Sequence, residues 1–135
     1  MFHTPNYFFI VFGGAHCEAH PVEGGVYGHD ANFITSSGIA VGDVVLLYCC
    51  GTYPEHYNEI PGLGIVTSIK TDDGIHYQYF PLCHPIPVNW DTMKVTIPEL
   101  APPGNRNWSL KGNFLRKISS SSFRATIAGR QVDWP

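Results

Sequence analysis

Three groups of residues in this chain carry side chains able to do chemistry. The first is Cys17 with His16 and His20 beside it. A cysteine thiol needs a neighbouring base to become a nucleophile, but such pairs are assembled by the fold rather than by adjacency in sequence. The same residues could open a metal site completed by His29 or by Cys83 and His84, although no Cys-x-x-Cys pair is present and structural zinc sites need four ligands at defined spacings. A plain alternative makes Cys17 a small buried anchor in a polar loop. The second group is aromatic: Tyr53 and Tyr57 in a proline-bearing stretch, Trp90 and Trp108 each after a proline-rich bend. Aromatic rings on loops suit the stacking of planar bases, at about 1 to 3 kcal/mol per base; alternatively, the two tryptophans plug the ends of a barrel. The third group is cationic. Residues 104–130 hold Arg106, Lys111, Arg116, Lys117, Arg124 and Arg130 without one acid, whereas residues 1–69 hold Glu18, Glu23, Asp30, Asp43, Glu55 and Glu59 without one Lys or Arg. Such asymmetry marks either a polyanion-binding face or two sides of a solvated surface. Phosphate-cradling, nucleophile-elbow and His-Glu-x-x-His patterns are all missing, and the spacing of His and Cys argues for neither a bound metal nor a cofactor.

The elements that must position these groups fit one domain spanning 1–135. The chain has 135 residues, 44% hydrophobic, 13% aromatic and 14% charged, with a formal net charge of −3. That apolar content excludes disorder. The longest apolar runs, Tyr7 to Phe12 and Val44 to Cys50, are far below the roughly 18 residues that suggest a membrane span, so no membrane partner is expected. The N-terminus lacks a positive region and a small-residue cleavage site, which gives a cytoplasmic expectation with reduced thiols. A net charge of this sign also excludes strong DNA affinity built on charge alone.

YFFIVF, Tyr7 to Phe12, reads as a buried strand stopped by Gly13 and Gly14. A long glycine-rich loop follows, and then a short helix over Asn32 to Ser37, capped by Asp30 and ended by Gly38. Val41-Gly42-Asp43 turns into a central strand, Val44 to Cys50. After the loop Gly51 to Pro61, the segments Gly62 to Lys70 and Ile75 to Phe80 form a hairpin about Asp72-Asp73-Gly74. Pro81, Pro85 and Pro87 restrict the next piece to an edge or a bend. Val88 to Ile97 suggests a short strand, and Phe114, Leu115 and Ile118 suggest a helical turn. The serine run Ser119 to Ser122 is a natural N-cap region for a helix carrying Phe123, Arg124, Ile127 and Arg130. The order implies an α+β domain around a mainly antiparallel, barrel-like sheet flanked by short helices.

Two stretches carry a family resemblance. Gly38 to Ser68, GIAVGDVVLLYCCGTYPEHYNEIPGLGIVTS, resembles the core signature of EVE domains in the PUA-like superfamily, to which YTH and ASCH domains are related. It has a Gly-Asp turn, an apolar strand ending in Tyr, a loop and a Gly-x-Gly strand. NWSLKGNFLRKISSSSFRATI is similar to the family's ending. The resemblance implies a PUA-like bent β-barrel and a non-catalytic module that recognises a modified base, methylated or hydroxymethylated, in DNA more readily than in RNA. Recognition would proceed by base extrusion into a loop-lined aromatic pocket. Carried over by position, Phe12, Gly13, Asn32, Phe33, Tyr48, Cys49, Cys50, Gly51, Thr52, Tyr53 and Tyr57 would line that pocket. Arg106, Lys111, Arg116, Lys117 and Arg124 would meet phosphates. The implied partners are nucleic acid and an effector protein such as restriction machinery. The alternatives are an ASCH-like nucleoside hydrolase and a protein-interaction domain.

Overall fold

The computed structural model describes residues 4–12, 24–28, 31–49, 58–70, 74–100 and 115–128. Among these residues six strands form one mixed sheet: β1 (Tyr7–Phe12), β2 (Val26–Tyr27), β3 (Val44–Cys49), β4 (Glu59–Lys70), β5 (Gly74–Pro87) and β6 (Leu115–Ile118). Their spatial order is β2-β5-β4-β3-β1-β6, and the sheet curls into a half-barrel. Among the described residues three short helices accompany it, α1 (Ala31–Ser37), α2 (Trp90–Thr96) and α3 (Ser120–Ile127), with a 3-10 turn at Pro98–Leu100. The architecture is therefore α+β and largely antiparallel, with one parallel pair, β1 beside β3.

β1 and β3 are apolar without alternation because both of their faces are covered. On one face Phe8, Ile10, Phe12, Val45, Leu47 and Cys49 join Tyr27, Val66, Ile75, Tyr77 and Leu115 beneath Ile34 of α1. On the other, Phe9, Val11, Val44, Leu46 and Tyr48 pack with Ile60, Leu63 and Ile86 under Met93, Ile97, Leu100 and Phe123. The helices thus divide into two layers with the sheet between them.

Turn chemistry fixes the register. The Gly-Asp turn before β3 uses Gly42 at φ +93°, and its N–H donates to the Val66 carbonyl at 2.8 Å. Asp43 follows, fully buried, and accepts the Asn6 N–H at 3.0 Å and the Ala40 N–H at 2.9 Å. One carboxylate thereby ties the approach to β1 to the approach to β3, and the Val44 N–H to Asn6 carbonyl bond at 3.0 Å completes the staple. Gly62 and Gly64 of β4 accommodate rings: a Cβ on Gly62 would meet Tyr79 Cε1 at 2.7 Å, and one on Gly64 would meet Tyr77 Cδ2 at 2.6 Å.

Three sequence expectations are corrected. Val88 to Ile97 is not a strand: Asn89 caps a helix there, its side-chain oxygen accepting the Asp91 and Thr92 N–H groups. Leu115 to Ile118 is a strand rather than a helical turn, pairing antiparallel with β1. Finally, β5 runs seven residues beyond Phe80, to Pro87. Its prolines are tolerated because, among the described residues, β2 pairs with Ile75 and His76 alone. The Tyr77 N–H points outward to the Gly25 carbonyl, so by the two-residue period of a strand Pro81 occupies an outward position where no ladder donor is needed. Pro61 likewise falls between Ile60 and Gly62, where the β4·β5 register shifts. The β4·β5 hairpin, the turn before β3 and the Ser119 cap of α3 match the sequence reading.

Candidate functional site

Because β1 and β3 run parallel and in register, Phe12 lies opposite Cys49. Cys49 in turn pairs with Glu59, and Glu59 with Pro87. The chain therefore leaves β1 and β3 at the same end of the sheet, and the segments 13–23 and 50–57 both start there. Gly13, Cys50, Gly51, Thr52, Tyr53 and Tyr57, expected in a base pocket, lie outside the described residues, as do His16, Cys17, His20, His29 and Trp108. Asn32 and Phe33 fall in the first turn of α1, their side chains also outside that set.

What the structure does describe at this end is a rigid base. Phe12 is fully buried and meets Tyr27 edge-on, ring centroids 5.1 Å apart, with Tyr77 at 6.4 Å. Tyr48, 1% exposed, stacks on Phe9 at 5.7 Å and donates its hydroxyl to Asn58 Oδ1 at 2.6 Å. Cys49 is buried and forms no disulfide. These three side chains present no surface to a ligand and serve as packing beneath the strand ends. Asn58 is the point where the chain returns to the sheet. It holds a left-handed backbone at φ +58°, its Nδ2 donates to the Val88 carbonyl at 3.2 Å, and its own carbonyl accepts the Val88 N–H at 3.0 Å. Asparagine is suited to that conformation.

Sequence reasoning passed over Tyr79, a half-buried ring packed against the α1-side cluster. It crosses Gly62, the register partner of Leu47, two positions before Cys49. The signal was the pair of tyrosines two residues apart facing the Gly-x-Gly of the neighbouring strand, since glycine leaves the space an aromatic ring fills.

The cationic residues gather elsewhere. Arg116 stands opposite Phe9 and Lys117 opposite Phe8, while Arg124 lies on α3; Arg106 and Lys111 are outside the described residues. Lys117 and Arg124, both exposed, line one open groove of about 320 Å³ together with Thr4, Pro5, Asn6, Tyr7, Ile118, Ser119 and Ser120. Tyr7 fixes the wall of this groove by stacking on Phe123 at 4.5 Å, which sets α3 against the start of β1. Neither cation forms an ion pair among the described residues. Glu99 borders this end of α3 but is turned to it: its carboxylate accepts the Ser119 N–H at 2.5 Å and the Ser122 hydroxyl at 2.7 Å. Partial burial pushes the Glu99 carboxyl up, and these hydrogen bonds outweigh it, holding the group below its ordinary value.

The groove and the strand ends sit at opposite ends of β1. Six residues make five steps, and at about 3.3 Å per step the separation is about 17 Å. A second groove of about 370 Å³, between α2 and α3, carries Asn89, Thr92, Met93, Thr96 and Thr126 and no charged side chain among the described residues. No group of three or more His, Cys, Asp or Glu is placed to hold a metal ion among the described residues. No helix there is long and apolar enough to cross a membrane.

No protein-family model matches the chain, and no curated protein matches it. In shape it is similar to the crystal structure of protein Atu2648 from Agrobacterium tumefaciens, with 11% sequence identity, a TM-score of 0.50 and coverage of 90% of each chain. At that identity the likeness concerns the fold.

Proposed function

We propose that this chain is a PUA-like, EVE-type module that reads a modified base in nucleic acid, DNA in preference to RNA, without performing covalent chemistry. The observation that carries the reading is the parallel β1·β3 pair, which brings the segments after Phe12 and after Cys49 to one end of the sheet. Those segments hold the Gly13 and the Cys50-Gly51-Thr52-Tyr53 run on which the EVE resemblance falls. A base extruded from its stack needs ring faces and a few hydrogen-bond partners for its edge. In this reading Tyr53 or Phe33 supplies the stacking face, and backbone groups near Cys49 to Gly51 bond to the base edge. Asn58, held from both sides by Tyr48 and Val88, fixes where the second segment returns. Arg116, Lys117 and Arg124 neutralise the backbone, and an effector protein such as restriction machinery acts on the bound site.

The test is a fluorescence titration against short DNAs and RNAs identical except for one methylated or hydroxymethylated base. The expected result is at least tenfold tighter binding, about 1.4 kcal/mol, to one modified DNA. Equal binding to every member of the panel refutes the reading, and release of free base or ammonia from modified nucleosides replaces it with a hydrolase.

A further inference from the structure

Resting on the reading just given, we infer that Tyr79 and Glu59 are the part of the base site that the sheet itself supplies. Tyr79 gives one face of the base a ring to stack on, and Glu59 accepts from an exocyclic amino group, so the ligand is an amino-bearing base of the cytosine or adenine class rather than a thymine or uracil. Along β1 and β3 the α1 side of the sheet is closed, with Phe8, Ile10, Phe12, Val45, Leu47 and Cys49 all buried. It opens beside the ends of these strands. Residues directly opposite in a ladder share a face. Cys49 stands opposite Glu59 and Glu59 opposite Pro87, while Leu47 stands opposite Gly62 and Gly62 opposite Pro81. Glu59, Pro81 and Pro87 therefore lie on the α1 side, and Ile60 packs into the opposite cluster as strand alternation requires. Pro81 and Pro87 are exposed and Glu59 is half-buried.

Tyr79 lies on the same side, and the edge of its ring rests over Gly62: a Cβ there would meet Cε1 at 2.7 Å and Cζ at 2.9 Å. Tyr77 takes the same attitude over Gly64 but is 5% exposed and closed in by Phe12. Of the two rings, Tyr79 keeps accessible surface, and its seat on a glycine backbone holds it in place before a ligand arrives, which lowers the ordering cost of stacking. Glu59 is three residues from Gly62, about 10 Å at most along the strand, a gap that a stacked base and a glutamate side chain span together. A carboxylate only accepts, and at about four lone-pair sites, so it serves a ligand amino group beside a protein donor. It suits the amino group of cytosine and repels the carbonyl oxygen that thymine carries in the same place. Its charge equally opposes a phosphate, so this end of the sheet admits the base and not the backbone.

The experiment uses DNA duplexes with the test base opposite an abasic site, so that extrusion costs no base pair. The bases are cytosine, 5-methylcytosine, thymine, N6-methyladenine and 6-methoxypurine; thymine and 6-methoxypurine replace the amino group of 5-methylcytosine and N6-methyladenine by oxygen. The wild-type chain should bind the amino member of one pair at least tenfold tighter than its oxygen counterpart, and which pair responds separates a pyrimidine site from a purine site. E59Q should reduce that ratio to threefold or less, because an amide can turn its NH2 toward oxygen. Y79L, which keeps apolar bulk but removes the ring, should weaken the preferred ligand at least fivefold, and Y79F should recover most of the loss. V95A, at an exposed position of α2 in the other layer, is the control and should change nothing. Circular dichroism and urea midpoints check that each variant folds; if Y79L does not, E59Q and Y79F decide.

If 5-methylcytosine or N6-methyladenine is preferred but folded E59Q and Y79L bind as the wild type does, or amino and oxygen members bind equally, the Tyr79/Glu59 assignment is overturned and the base-reading assignment stands. If binding depends on the amino group and on Tyr79 but cytosine and 5-methylcytosine bind equally and N6-methyladenine no better, the Tyr79/Glu59 assignment is supported and the modified-base reading falls. Absence of binding by every duplex overturns both.

Discussion

Replacing Asp43 by alanine should cost about 3 to 5 kcal/mol of folding stability. The carboxylate is fully buried and accepts two backbone N–H groups, from Asn6 at 3.0 Å and Ala40 at 2.9 Å. Hydrogen bonds to a charged group contribute about 1.5 to 3 kcal/mol each, and truncation removes the acceptor of both. Small domains have about 5 to 15 kcal/mol in total, so D43A should be only marginally folded at room temperature. D43N should be nearly as costly: one amide oxygen cannot take over both bonds, and the amide NH2 would face a donor. The assay is urea unfolding followed by far-UV circular dichroism and tryptophan fluorescence. D91A serves as the control, since Asp91 has a 96% exposed side chain whose contact with Lys94 is at 4.0 Å; it should shift stability by no more than about 0.5 kcal/mol. A D43A loss below about 1 kcal/mol would refute the view that this side chain staples β1 to β3.

Y48F removes the donor to Asn58 Oδ1 and should lower stability by about 1 to 2 kcal/mol in the same unfolding assay; an unchanged midpoint would mean that the Asn58 anchor is held by Val88 alone. G64A places a methyl 2.6 Å from Tyr77 Cδ2 and 2.9 Å from Val45 Cγ2, an overpacking expected to cost about 1 to 3 kcal/mol. Thermal melting should show it, and a G64A/Y77A pair should relieve the clash. For Glu99, whose folded-state carboxyl titrates below its ordinary value of 4.5, the sign follows from linkage. Its stabilising contribution is complete above that value and is lost as the pH falls through the lower folded value. Melting temperatures from pH 7 to 3 should therefore fall less steeply for E99Q than for wild type at the acid end, and identical profiles would remove Glu99 from the acid response.

The strands of the centre were legible because their composition admits no other use: YFFIVF and VVLLYC are too apolar and too short for anything but a sheet covered on both sides. The cap at Ser119 was legible because the signal is local. The errors share a cause. In β6, Leu115 packs toward α1 and Ile118 toward α3, so coverage of both faces removes the alternation that identifies a strand, and the spacing imitates a helical turn. In α2 the β-branched Val95 and Thr96 favour a strand, but Val95 is 79% exposed, and the helix is set by the Asn89 cap with Met93 and Ile97 turned to the core. The pocket residues were assigned by position, and position cannot distinguish a side chain at a strand's end from one within the core. Phe12, Tyr48 and Cys49 belong to the core. The grouping of Lys117 with Arg124 needed the pairing of β6 with β1, a contact between opposite ends of the chain that no local pattern announces.

That same pairing governs how the protein is made. Among the described strands β1 is synthesised first and β6 last, yet β1 sits between β3 and β6 in the finished sheet. During translation β1 can dock on β3 as soon as Cys49 emerges, but its other edge stays open until Ile118 follows. For that interval the nascent chain carries YFFIVF as an uncapped edge of high β-propensity without a charge or proline, the kind of segment that recruits other strands. Chains truncated before β6 would keep that edge open permanently, which makes late premature termination more hazardous for aggregation than early termination.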